Sequence, residues 1–113
     1  MNIQTKVKKI AELNDLARTA MGVTARVIQT EGIAALPSQV QSRIREGVEK
    51  FNSFTPDNDP YGEHDFGAIE IPAVGRVFWK IDYYDKAMEM HSEDPADPGK
   101  TTRVLTIMLA SEY

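Results

Sequence analysis

The stretch Val77-Phe78-Trp79-Lys80-Ile81-Asp82-Tyr83-Tyr84-Asp85 constrains this chain more than any other. Val77, Trp79, Ile81 and Tyr83 recur at every second position, the period of a strand with one face on a core. Its other face carries Arg76, Phe78, Lys80, Asp82 and Tyr84. Gly67 to Ile71 gives a shorter strand with Ile69 and Ile71 on one side, and Pro72 to Gly75 turns the chain between the two, Gly75 suiting a positive-φ position. Thr102 to Ala110 is almost continuously apolar from Val104 onward, which predicts a strand inside the sheet, covered on both faces.

Two amphipathic helices precede these strands. Ile3, Val7, Ile10, Leu13, Ala17 and Ala20 fall at helical spacing, with Asn2 as N-cap and Gly22 as the left-handed residue after the end. Asn14, Asp15 and Arg18 on this helix read as surface hydrogen bonding within one turn. Val23 to Thr30 alternates and reads as a strand ended by Glu31-Gly32. The second helix opens at a capping box, Ser38 with Gln41, and carries Val40, Ile44, Val48 and Phe51 on its apolar stripe. The order α-β-α-β-β-β predicts an α+β two-layer sandwich, with two helices on one face of a mainly antiparallel four-stranded sheet. Residues 1–113 fit a single domain.

Composition narrows the function classes. The chain has no cysteine, so disulfides, thiolate metal sites and cysteine nucleophiles are excluded. A net charge of −4 argues against non-specific binding to a phosphate backbone. Lys6, Lys8 and Lys9 cluster in sequence but point to different sides of a helix, which makes nucleic acid a poor partner. No N-terminal apolar run is long enough for a signal peptide or a membrane span, so the expectation is a cytoplasmic protein without a membrane partner.

The candidate site lies where the turn-rich Thr55–Gly67 segment reaches the sheet. Pairing Ile69 and Ile71 with the face of Val77 and Trp79 leaves two registers. In one, Glu70 faces Arg76 and His64 faces Asp82; in the other, His64 faces Tyr84. Either way His64, Lys80, Asp82 and Tyr84 share a face, with Arg103 arriving at the same end. His64 with Asp82 would form an acid/base pair, the carboxylate fixing the ring tautomer. Asp59, Glu63 and Asp65 would supply hard oxygen ligands for a divalent cation, the one cofactor these residue types suit. Asp57-x-Asp59-x-x-Gly62 starts like a calcium loop but fails, because Tyr61 and Ala68 stand where oxygen ligands belong. The same residues also fit a satisfied ion-pair network pinning the loop to the sheet. Tyr61, Phe78, Tyr84, Met88 and Met90 are the residues suited to a partner surface, whereas Trp79 belongs to the core and His91 to a solvated loop.

Several of these strings resemble a family of small bacterial proteins known only as domain-of-unknown-function family 3768. The resemblance rests on Asn14-Asp15-x-x-Arg18, Thr30-x-Gly32, Asn58-Asp59-Pro60-Tyr61-Gly62-Glu63-His64-Asp65-Phe66-Gly67, Trp79-Lys80-Ile81-Asp82-Tyr83-Tyr84-Asp85, Thr102 to Ala110, and Glu112-Tyr113. It implies a self-contained domain and no particular chemistry. Two function classes stay open. One is an interaction module for another protein, such as an inhibitor or accessory factor of mobile DNA, binding through Tyr61, Glu63, Asp65, Lys80, Tyr84 and Arg103. The other is a metal-assisted hydrolase or acid/base enzyme using His64 and Asp82.

Overall fold

The computed structural model describes residues 2–113. The first helix, α1 (Ile3–Thr19), is capped by Asn2, whose side chain accepts from the Thr5 amide at 2.7 Å. Its buried stripe is Ile10, Ala11, Asn14, Ala17 and Arg18. This differs from the apolar stripe expected from spacing: Ile3 is 81% exposed, and two polar residues are inside instead. They are inside because each finds hydrogen-bond partners on another element, which removes the penalty for burying them. Gly22 has φ +80° as expected, but a turn runs through Val23, so strand β1 covers only Arg26–Gln29.

A single helical turn, α2 (Glu31–Ala34), follows where the sequence suggested only a break. It buries Ile33 completely. Helix α3 (Ser38–Lys50) starts with Pro37 in the N-cap position and no side-chain cap. The expected capping box is absent because the Gln41 amide donates to the carbonyls of Ala34 and Leu36, satisfying the end of α2 instead. Ile44 and Val48 form the buried stripe of α3.

Strands β2 (Phe66–Ile71), β3 (Gly75–Tyr84) and β4 (Thr102–Leu109) complete a sheet of order β1-β4-β3-β2. The β2–β3 and β3–β4 pairs are antiparallel and β1–β4 is parallel, so the sheet is mixed and mostly antiparallel. The α+β class and the helices on one face follow the expectation. Val77, Trp79, Ile81, Tyr83, Leu105 and Ile107 face Ile10, Ala17, Ile33, Ile44 and Val48 in one core. Each fully buried aliphatic side chain there contributes roughly 1.5–3 kcal/mol. Trp79 lies directly against Gly67 of β2, where a Cβ would meet its indole nitrogen at 2.3 Å. That contact explains the glycine.

Strand β4 is interior to the sheet, with the helices packed on the face of Leu105 and Ile107 and its second face formed by Val104 and Met108. Val104 and Met108 are buried there, at 4% and 3% exposure. The same face carries an aromatic group in which Tyr113 meets Phe66 and Phe78 edge-on, with centroids 5.9 and 5.5 Å apart. The long connection from Asp85 to Thr101 is tied down rather than free. Ser92 donates its amide to the Tyr83 carbonyl at 3.0 Å and shares a 2.7 Å hydrogen bond with Thr101, while Ala96 joins the core. Among the described residues no helix is long and apolar enough to cross a membrane.

Candidate functional site

The first of the two registers is the one adopted: Glu70 pairs with Arg76 and Phe66 with Lys80. His64 nevertheless does not face Asp82 or Tyr84. Gly62 (φ +71°) and His64 itself (φ +57°) take left-handed conformations that turn the chain off the sheet before β2 begins. Histidine is among the residues that tolerate this region, at a cost of roughly 1–2 kcal/mol. The vacated edge of β3 is filled by the returning chain, with His91 bridged to Tyr84. Asp82 pairs with Lys80 at 3.0 Å instead.

His64 is carried onto α1. Its Nδ1 lies 2.9 and 3.1 Å from the two carboxylate oxygens of Asp15, and its Nε2 lies 3.8 Å from Asp59. A carboxylate only accepts, so Nδ1 bears the proton in this pair. Phe54 stacks on the ring at 3.8 Å with the planes 1° apart. Asp59 also accepts from the His64 amide, which fixes the turn. Asp15 in turn receives a 3.0 Å bond from Arg18. The acid/base geometry sought at the sheet is thus built with Asp15, a residue the helical spacing had placed on a plain surface.

Arg18 is 3% exposed and spans two helices. One guanidinium nitrogen donates to the carbonyls of Val48, Glu49 and Phe51, at 2.8, 3.2 and 2.7 Å. Those carbonyls lie at the end of α3, at the negative pole of its dipole, where the Val48 carbonyl otherwise receives only the long 3.4 Å bond from the Phe51 amide. The guanidinium also lies over Trp79, 5.0 Å from the ring centroid.

Beside this lies a second chain of bonds around Asn14, which is wholly buried. Arg103 donates from Nε to the Asn14 carbonyl at 2.7 Å, and the Asn14 amide donates to the Tyr83 hydroxyl at 2.8 Å. That hydroxyl donates to the Glu63 carboxylate at 2.8 Å, and the Asn14 amide also reaches the Glu63 backbone carbonyl at 2.9 Å. Arg103 further bonds the Pro95 carbonyl. A cation therefore communicates with a carboxylate through an amide and a phenol, every donor pointing the same way. Burial pushes the Tyr83 hydroxyl well above its usual range, so it stays a neutral donor. Burial also lowers the Arg103 pKa from its usual value. Arg103 reaches the expected end of the sheet, but on the core face.

Two cavities touch these groups. A groove of about 560 Å³ runs between α1 and the Tyr61–His64 turn, lined by Ile3, Val7, Ala11 and Tyr61, with Asp15 and His64 also on its wall. Tyr61 is 80% exposed on its rim. A smaller cup of about 300 Å³ at the end of the sheet is lined by Asp65, Ile81, Asp82, Tyr83, Tyr84 and His91. It unites Asp65, Asp82 and Tyr84 as expected, with His91 where His64 was expected. His91 Nδ1 lies 2.8 Å from the Ser92 carbonyl, so that nitrogen is its donor. Burial, and next the charge of Glu63, raise the pKa of Asp65 above the usual carboxylate value. Asp59, Glu63 and Asp65 do not form a ligand shell: among the described residues no three His, Asp or Glu groups are placed to hold a metal ion. Lys80 contacts Asp82 outside the His64 group.

This is a small α+β protein with a mixed four-stranded sheet and a polar network linking its first helix to the loop before β2. The chain belongs to the family described as protein of unknown function (DUF3768), whose model matches residues 29–112. Comparisons with curated proteins and with solved structures gave no match. Asn14, Asp15 and Arg18 precede the matched range, and their partners Glu63, His64, Tyr83 and Arg103 lie within it.

Proposed function

We propose that this protein is a binding module that takes a short segment of a partner protein in the groove between α1 and the Tyr61–His64 turn. The observation that carries this reading is the groove of about 560 Å³, mainly apolar along its walls and carrying the fixed Asp15–His64 pair. Pockets of this size with a few convergent polar groups suit a side chain or short peptide. Ile3 and Tyr61 stand exposed at its rim, and an exposed aromatic beside aliphatic walls is the make-up of a hot spot. Glu12 and Asp15 outnumber Lys8 along the lining, so the segment that fits carries an apolar side chain followed by a basic one.

The test is selection from a displayed random-peptide library against the full chain, followed by titration calorimetry. Selected peptides should share an apolar–basic pattern and weaken about tenfold or more with Tyr61→Ala, as for truncation of an interface anchor. Peptides that bind equally well to Tyr61→Ala, or a library that yields none, would overturn the reading.

A second reading is an acid/base enzyme, favoured by one observation: the His64 ring is held by Asp15 on the wall of that groove. In it Asp15 takes the orienting role expected of Asp82. Turnover of an ester or phosphoester panel lost in His64→Gln would favour this reading over simple binding.

A further inference from the structure

We propose that β2 pairs antiparallel with β2 of a second copy of this chain, joining two four-stranded sheets into one continuous sheet. The strand order β1-β4-β3-β2 leaves β2 on the sheet's border. The phase of its hydrogen bonding follows from the amide of Ile81, which donates to the Asp65 carbonyl at 2.9 Å. Bonded pairs alternate along an antiparallel ladder, so Gly67, Ile69 and Ile71 also bond inward to β3. Phe66, Ala68 and Glu70 therefore turn their N–H and C=O groups outward. Among the described residues these three make no backbone hydrogen bond outside the sheet.

An outward row of this kind is a template for another strand, and proteins that keep it single guard it with lysine, proline, a bulge or brevity. The other border, β1, is guarded: it has four residues and begins with Arg26. Phe66-Gly67-Ala68-Ile69-Glu70-Ile71 has none of these devices and pairs with β3 in unbroken register. Its one charge, Glu70, is already matched by Arg76 at 2.9 Å. Beside the edge runs a groove of about 510 Å³ lined by Gly47, Phe51, Ile69 and Ile71, open space that a neighbouring strand's side chains would fill.

The sequence of β2 fits itself. With Ala68 facing Ala68 of the second copy across a two-fold axis, Phe66 falls opposite Glu70 and Glu70 opposite Phe66. All three positions have outward-facing backbone, so each pairing exchanges two hydrogen bonds. Gly67 then faces Ile69, setting no side chain against a large one on the groove side, and the small Ala68 lets the backbones close at the axis. No like charges meet. A two-fold, self-complementary patch is the commonest way for a chain to close an assembly.

Sedimentation velocity over a wide concentration range reads this directly. The wild-type chain should sediment as twice its 12.6 kDa mass, dissociating on dilution. Ala68→Pro removes an amide that no internal bond uses, as edge strands permit. Ala68→Lys sets two ammonium groups against each other at the axis. Ala68→Pro should weaken the dimer by about a hundredfold, the loss of two hydrogen bonds at roughly tenfold each, and Ala68→Lys should weaken it through like-charge repulsion across the axis. A wild-type chain that stays monomeric at every concentration would overturn the proposal. So would a dimer of unchanged strength in Ala68→Lys, a variant that decides the matter even where Ala68→Pro fails to fold. Tyr61, on the α1 groove, takes no part in this pairing, so the peptide test above and this one fail independently.

Discussion

Asn14 ties distant parts of the fold together, because a single amide group answers a cation, a phenol and a backbone carbonyl at once. Its neighbours Asp15 and Arg18 are used the same way, one holding His64 and the other ending α3. On an isolated helix, polar residues three and four apart look like solvent-facing partners, and the 3.0 Å Asp15–Arg18 bond is indeed made. What spacing cannot display is the opposite half of each interaction, which comes from Glu63, His64, Tyr83, Val48 and Arg103, far along the chain. Asn14→Leu keeps the branching at Cγ but strands the Arg103 Nε–H and leaves the Glu63 carbonyl short of a donor. At roughly 1–3 kcal/mol for each orphaned group, the loss should be about 3 kcal/mol in urea denaturation. A change within about 0.5 kcal/mol, as is usual for surface substitutions, would mean the network contributes nothing net.

Among the elements, α3 depends on a cap supplied from outside itself. Its last carbonyls are bound by Arg18 of α1, so the two helices are joined by a guanidinium as well as by apolar contact. Arg18→Met keeps an unbranched side chain at the buried position and removes every one of those bonds, together with the guanidinium over Trp79. The expected cost is about 2 kcal/mol, with faster amide hydrogen exchange in the last turn of α3 and through Phe51–Phe54. Faster exchange spread evenly over the molecule instead would show that Arg18 acts through the core and not through the cap. The C-terminal turn is fastened by similar means. The Glu112 carboxylate accepts from the Thr30 hydroxyl at 2.6 Å and from the amides of Gly32 and Leu109, both at 2.9 Å. Thr30, first of all, and those amides hold its pKa below the usual value. The strands were legible from the period of Val77 to Tyr83 and the apolar run of Val104 to Ala110, since a sheet writes its faces into alternate residues. The capping box expected at Ser38 is not made because Gln41 suits two neighbouring helix ends, and local chemistry does not say which one it serves. His64 leaves its expected place for a related reason: its alternation with Phe66 continues the strand in the sequence, but two left-handed residues end it in space.

At the scale of the whole molecule, the net charge of −4 is distributed unevenly, with Asp59, Glu63, Asp65 and Asp82 gathered near one end of the sheet. Folding brings Asp65 into a half-buried place among these acids, and burial first, then Glu63, raises its pKa. The sign follows from proton counting. Between the unfolded value near 3.8 and the higher folded value, the folded state binds more protons than the unfolded chain, so stability falls as pH rises through that interval. Above it the cost is constant, and below it there is none. Glu112 works in the opposite sense. Its lowered pKa gives stability above the unfolded value of 4.5 that is lost as pH falls through the folded one. Comparing Asp65→Asn with the wild type cancels the Glu112 contribution, which both proteins share. The urea midpoint of Asp65→Asn should exceed the wild-type midpoint at pH 7, and the two should converge as pH approaches 4. A midpoint lower than wild type at pH 7 would mean that the Asp65 carboxylate is held by attractions stronger than its burial and its acidic neighbours. In that case the cup at the end of the sheet would have to be read as a site that welcomes negative charge.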